Sequence, residues 1–140
     1  TYAYVIDTSK IMSPFLSRYV YHFPWEIDPE SVIKALKLLE GEHDFSSFMG
    51  TGSPVNTACR KIFSTDVFFR GSLVYLCIKG SGFLRHMVRN IVGTIILIKQ
   101  KEMCPEEILA IMDKKDRSAA GPTAPPQGLY LVSVEYDKDG

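Results

Sequence analysis

The chain has 140 residues, 46% of them hydrophobic and 23% charged, which is one domain's worth of sequence and long enough to bury a core. Sixteen Lys and Arg balance sixteen Asp and Glu, so no global basic field advertises a nucleic-acid partner; any such contact has to come from local patches or from protein outside this chain. Three cysteines (Cys59, Cys77, Cys104), an odd number without Cys-x-x-Cys pairing, read as reduced, buried thiols rather than a disulfide framework or zinc site. His22, His43 and His86 lack metal-ligand spacing, no signal peptide is expected, and the apolar run from Ile91 to Ile98 is far short of a membrane span. The opening at Thr1, inside a strand pattern, reads as a piece of a longer protein.

In chain order, Tyr2, Tyr4 and Ile6 alternate with Ala3, Val5 and Asp7, which predicts a strand. Pro14, Pro24 and Pro29 punctuate an irregular stretch. Tyr19, Tyr21, Phe23 and Trp25 alternate within it and are read as a hydrophobic clamp under a long loop rather than a base-stacking platform. Asp28 as N-cap and Pro29 in the first turn open a helix that Gly41 ends, with Val32, Ile33, Leu36 and Leu39 inward and Lys34 and Lys37 outward. His43, Asp44 and Ser46 are too close in sequence to form a Ser-His-Asp triad, whose members converge from separate elements. A short helical turn capped by Asp44, with Phe45 and Phe48 buried, is expected instead. Met49 to Thr57 is a loop of mostly small residues, expected to be mobile and close to a ligand.

Two strands follow, Ala58 to Phe69 and Leu73 to Lys79, turned at Arg70-Gly71-Ser72. The second runs Leu73 to Ile78 without a polar gap and is expected to be covered on both faces. A long helix is predicted from Ser81 as N-cap, apolar all round between Ile95 and Ile98. A shorter one starts at Pro105 with Ile108, Leu109 and Met112 inward. Lys114 to Gly128 is a Pro/Ala/Gly-rich connector, and Gly128 to Tyr136 is a last strand. The order β-α-β-β-α-α-β predicts an α+β class: a ferredoxin-like (RRM-like), mostly antiparallel sheet with helices on one face.

The long helix poses the functional question. At about 100° per residue, Arg85, Arg89, Gly93, His86 and Asn90 share a stripe opposite a solid hydrocarbon face. Salt bridges on a solvated face would be the ordinary explanation for two arginines one turn apart. Arg89, flanked by Val88 and Asn90 where that stripe narrows, is instead expected to be partly buried. A partly buried guanidinium must meet a carboxylate or phosphate or bear a desolvation cost of roughly several kcal/mol.

The stretch Gly80-Ser81-Gly82-Phe83-Leu84-Arg85-His86-Met87-Val88-Arg89-Asn90-Ile91-Val92-Gly93 resembles the signature helix of the TruA family of tRNA pseudouridine synthases. Three more blocks agree in order: Leu39 to Phe48, Lys115 to Pro125 with its Ala120-Gly121-Pro122-Thr123-Ala124-Pro125, and Gly128-Leu129-Tyr130-Leu131. The opening Tyr2-Ala3-Tyr4 is similar to the family's Tyr-x-Tyr strand, so the resemblance spans the whole chain. It implies a fold that is half of a pseudouridine synthase, residues 1–140 being the C-terminal half of a two-domain enzyme. It also implies isomerisation of uridines 38, 39 and 40 in the anticodon stem-loop of tRNA, without a cofactor, by a cytoplasmic homodimer that has no membrane partner.

Three jobs are implied within this chain: Arg89 pairs with the catalytic aspartate, Tyr2 stacks on the flipped uracil, and Leu129 lines the base pocket. Ion pairing, cross-strand packing and plain core are the structural alternatives for those three residues. Arg85, His86 and Asn90 are weaker candidates for RNA contact. The family's aspartate lies in an Arg-Thr-Asp-x-Gly block of the N-terminal half that nothing here matches, so Asp44 and Asp116 are not promoted and this chain alone is expected to be inactive. Arg85 stands at a variable position of the signature, and Met49-Gly50-Thr51-Gly52 departs from the polar stretch common there. A non-catalytic RNA-binding or dimerisation module on a ferredoxin-like sheet is the alternative. An RNP-type cluster would favour it, but Phe68, Phe69 and Tyr75 are too few and wrongly patterned.

Overall fold

The structure, a computed structural model, describes residues 1–52 and 57–134. Its centre is β1 (Tyr2–Asp7), which pairs antiparallel with β5 (Leu73–Gly80) so that Tyr2, Tyr4 and Ile6 stand opposite Ile78, Leu76 and Val74. That register puts these six side chains on one face of the sheet. The last strand, β6 (Leu129–Leu131), pairs antiparallel with Tyr2–Tyr4 on the other edge of β1, while the two-residue β2 (Tyr21–His22) runs parallel to Ile6–Asp7 beyond it. On the far side of β5 lie β4 (Cys59–Arg70) and β3 (Gly41–Asp44). Read without β2 and β3, the sheet has the order last-first-third-second, the ferredoxin-like arrangement expected from the sequence.

Three helices, α1 (Pro29–Leu38), α2 (Met87–Gln100) and α3 (Glu107–Asp113), share one core with Tyr4, Ile6, Val74, Leu76 and Ile78. The α1 cap is the expected one: the Asp28 carboxylate accepts from the Glu30 amide at 3.3 Å, and Pro29 sits in the first turn where a missing N–H costs nothing. Its inward residues are Val32, Ala35 and Leu36, with Leu39 just past its end, whereas Ile33 is exposed. Gly41 lies three residues beyond the helix and opens β3 at φ 98°. The tight turn between β4 and β5 uses Gly71 at φ 60°, in the left-handed region where only glycine is unstrained. Asp44 accepts from the Ser46 amide at 2.9 Å and so caps a 3-10 turn, Ser46–Phe48, with Phe45 and Phe48 fully buried.

Several expectations are corrected. The face of β5 carrying Leu73, Tyr75 and Cys77 is only half buried, since among the described residues the helices share their core with the opposite face, Val74, Leu76 and Ile78. The segment from Leu16 to Val20 reaches across its β1 end and forms a shallow apolar groove with Ala3, Val5 and Tyr75. Cys59 and Cys104 are exposed and Cys77 intermediate, and all three are free. In the aromatic run Phe23 alone is fully enclosed, between Tyr21 at 6.0 Å and Trp25 at 4.7 Å; Tyr19 and Trp25 stay more than half exposed, at 57% and 56%. The last strand covers Leu129–Leu131 and does not continue through residues 132–134 as expected, while residues 135–136 of that expectation, like residues 53–56 of the 49–57 loop, lie outside the described residues. Among the described residues, no helix is long and apolar enough to cross a membrane.

Ser81 does not cap a helix. Its amide donates to the Lys61 carbonyl at 2.8 Å and its hydroxyl accepts from the Lys61 amide at 3.1 Å, so the glycine-rich segment continues the pairing of β5 with β4. Leu84, 3% exposed, then carries the chain from the sheet into the helix layer. Only after His86, in left-handed conformation at φ 57°, does α2 begin. Sheet pairing and burial of Leu84 outweigh the local capping preference. Arg85 and His86 therefore precede the helix instead of riding on it.

Candidate nucleic-acid active site

The first residue of β1, the first residue of β6 and the first turn of α2 meet at one end of the sheet. There they enclose a cavity of about 360 Å³ lined by Tyr2, Phe83, Arg85, His86, Arg89, Pro126 and Leu129, among others. Five of the six residues singled out in the sequence thus share one wall system. Register explains why Tyr2 and Leu129 belong together: Tyr4 stands opposite Leu129 and Tyr2 opposite Leu131, so Tyr2 and Leu129 are diagonal neighbours on the same face. Phe83, expected on the hydrocarbon face of the helix, instead precedes α2 and abuts Tyr2 edge-on, ring centroids 4.9 Å apart and planes at 82°. An edge-to-face contact of this kind braces the ring through its quadrupole while occupying little of its area.

Arg89 is half buried. Its Nε donates to the Ala124 carbonyl at 2.8 Å, and the Ala124 amide donates back to the Arg89 carbonyl at 3.0 Å. Among the described residues it has no carboxylate partner: the ion pairs are Lys34–Glu106, Lys37–Glu40 and Lys115–Asp44, and neither arginine of the cavity is in one. One neutral acceptor for five N–H donors leaves most of this guanidinium available. Desolvation and the Arg89 and Arg85 charges hold the His86 imidazole below its ordinary value although its side chain is exposed, which favours its neutral form. The positive field of the cavity therefore comes from the two guanidinium groups.

Beneath this wall lies Tyr4, fully buried, whose hydroxyl donates to the Pro125 carbonyl at 2.6 Å. Burial, reinforced by Tyr21 and opposed by Arg89, pushes its pKa far up, so Tyr4 stays protonated and serves as a structural donor. A Cβ on Gly128 would come within 2.7 Å of its ring, which is why a glycine must precede Leu129 here.

Asn90 is a correction. It is fully buried, its Nδ2 donates to the Phe48 carbonyl at 2.8 Å, and its Oδ1 accepts from Arg117 and Thr123, so it has no surface to offer RNA. Composition alone cannot separate a satisfied buried amide from an exposed one, and Asn90 shares a helical stripe with arginines.

A family model described as tRNA pseudouridine synthase matches residues 35–137. The chain belongs to the tRNA pseudouridine synthase family. Among its similar curated relatives is a tRNA pseudouridine synthase A of Geobacillus sp. (strain WCH70), 42% identical over 136 residues that make up 97% of this chain and 55% of that protein. The protein of the same name from Caldicellulosiruptor saccharolyticus is 43% identical over 97% of this chain and 56% of its own length. The one from Streptococcus pneumoniae (strain P1031) is 38% identical over 99% and 56% respectively. The chain thus spans about half the length of the curated relatives it matches. Within this tRNA pseudouridine synthase domain, Arg89 and Leu129 fall inside the matched range and Tyr2 ahead of it.

Proposed function

We propose that this chain is the C-terminal half of an enzyme that isomerises uridine to pseudouridine in tRNA, at positions 38–40 of the anticodon stem-loop. In the complete cytoplasmic homodimer, a second domain supplies the catalytic aspartate and no cofactor takes part. The observation that carries the reading is the cavity in which a half-buried guanidinium, without a carboxylate partner among the described residues, lines the same walls as an aromatic ring and an aliphatic side chain. Those are the groups this reaction needs from one side.

The N1–C1′ bond of the uridine breaks, the uracil turns while held, and C5 bonds to C1′; C5 gives up its hydrogen and N1 gains one. The base must first leave its stack, at a cost of about a few kcal/mol. Stacking on an aromatic ring returns roughly 1–3 kcal/mol per base, so Tyr2 can offset much of that cost. Leu129 and Pro126 give the detached base an apolar floor. Arg89 keeps the incoming aspartate ionised and oriented, because a nearby opposite charge favours the charged carboxylate. Arg85 and His86, at the rim, meet the RNA backbone, which positions the substrate without reading its sequence.

The test is tritium release from C5-labelled uridine in tRNA by the full-length protein. Removing one partner of a buried ion pair costs about 3–5 kcal/mol, so Arg89→Ala is expected to slow turnover by about two to three orders of magnitude while tRNA affinity changes little. Equal losses in turnover and affinity would reduce Arg89 to an RNA-binding role.

A further inference from the structure

Arg89 is held by a strap. Residues 121–125 of the connector lie directly across α2: a Cβ on Gly93 would fall 1.6 Å from the Pro122 carbonyl oxygen, and one on Gly121 would fall 2.5 Å from the Gly93 carbonyl oxygen. Two glycines back to back thus let main chain rest on main chain. From that position the strap offers two carbonyls to the site, Ala124 to Arg89 Nε at 2.8 Å and Pro125 to the Tyr4 hydroxyl at 2.6 Å.

The side chain that fixes the strap is Arg117, in a 3-10 turn, Arg117–Ala119, that precedes it. Its Nη1 donates to the Gly121 carbonyl at 2.7 Å, and its Nη2 donates to Asn90 Oδ1 at 3.0 Å and Thr123 Oγ1 at 3.1 Å. The Thr123 hydroxyl donates in turn to Asn90 Oδ1 at 2.6 Å, and Thr94 Oγ1 accepts the Gly121 amide at 2.9 Å. One guanidinium therefore ties the start and the middle of the strap, at Gly121 and Thr123, to a buried amide on α2 one residue from Arg89. We infer that Arg117 is a positioning residue for Arg89: through Asn90 and Thr123 it sets the strap, and the strap's Ala124 carbonyl sets the direction in which the Arg89 guanidinium faces the cavity. The inference rests on the reading in which Arg89 meets an aspartate from the other domain.

Misplacing a catalytic contact by about 1 Å can cost about a hundredfold in rate. In the full-length protein, Arg117→Ala is expected to lower single-turnover tritium release by about ten- to a hundredfold with tRNA affinity within about twofold, and Arg117→Lys, which keeps the charge but not the fork, to behave alike. The double variant Arg89→Ala/Arg117→Ala should be no slower than Arg89→Ala alone, since a residue acting only through Arg89 has nothing left to position. Should Arg117→Ala fail to fold, Thr123→Val makes the same comparison with one strap contact removed. A matching loss of tRNA affinity in the Arg117 variants would make Arg117 a phosphate ligand and overturn the inference, as would an additive loss in the double variant. Full turnover in folded Arg117→Ala beside a crippled Arg89→Ala would overturn the strap alone. Full turnover in Arg89→Ala would instead overturn the functional reading beneath it.

Discussion

The flank where α1 meets α3 and the mouth where α2 begins treat charge in opposite ways. On the flank, cations find carboxylates from this chain: Lys34 pairs with Glu106, and Lys37 with Glu40 at 2.9 Å. Glu40 also accepts from the Thr65 amide and hydroxyl, at 2.8 and 2.9 Å, next to the bulge between Ile62 and Ser64. At the mouth, among the described residues, Arg89 and Arg117 meet only neutral oxygens. A chain with sixteen charges of each sign has enough acids to pair both ends, so the imbalance at the mouth is a matter of placement. Where only packing is at stake, charges are satisfied locally. On the proposed function an outside anion is received at the mouth, and there neutral dipoles hold the guanidinium in place without competing for its charge.

The largest stability effect that sharpens this contrast is expected at Gly93. In an exposed helix interior, Gly→Ala stabilises by about 1 kcal/mol through propensity. Here the new Cβ would meet the Pro122 carbonyl oxygen at 1.6 Å, backbone against backbone, and neither side is a flexible chain end. The sign should reverse: Gly93→Ala is expected to destabilise on the order of 3 kcal/mol, lowering the melting temperature by roughly 10 °C. A thermal melt that rises, as propensity alone would have it, would show that the strap lifts off α2 without cost.

Much of this arrangement could be read in the sequence because it depends on local rules. Asp28 before Pro29, Gly71 in a two-residue turn and the alternation in Tyr2–Asp7 each carry their own physical reason within a few residues. β3 could not be read that way. Gly41–Asp44 shows no apolar alternation, and it is a strand because the β4 edge needs partners, His43 facing Arg60 and Glu42 facing Lys61. The N-cap of α2 lies five residues beyond the expected Ser81, because Ser81 has two possible partners, a helix of its own or Lys61, and the sheet supplies the second. Tyr2 and Leu129 are singled out by resemblance alone, since their pattern ranks them with cross-strand packing and plain core, whereas Arg89 stands out in the sequence itself as a guanidinium expected to be partly buried. Arg117 and Asn90 lie 27 positions apart, and no periodicity reports a contact at that range.

A smaller effect is expected at Tyr4, on the inner side of the mouth. Tyr4→Phe leaves the Pro125 carbonyl without its donor, which costs about 1–2 kcal/mol. The native pKa of this tyrosine lies above its ordinary value of about 10, so folding favours its neutral form. That contribution is fully present below about pH 10 and is lost as pH rises toward the native pKa, because the unfolded chain releases the proton first. Denaturant midpoints of the parent chain should therefore fall more steeply above about pH 10 than those of Tyr4→Phe. The other tyrosines titrate in both proteins and cancel in the difference; parallel curves would mean that Tyr4 is not enclosed.

The smallest effect belongs to the flank. Lys34 and Glu106 form an ion pair with side chains 56% and 49% exposed, and the hydrogen bond between them raises the lysine pKa and lowers that of the glutamate. Water and salt screen such a pair, and two long side chains lose freedom in making it. Lys34→Ala is expected to leave the melting temperature unchanged at low and at high ionic strength. The contrast between the two ends would then hold in energetic terms, with paired charges of little consequence on the flank and unpaired ones held by the strap at the mouth. A salt-dependent destabilisation comparable to that of Tyr4→Phe would instead make the flank a working part of the fold's stability, and pairing alone would no longer distinguish the two regions.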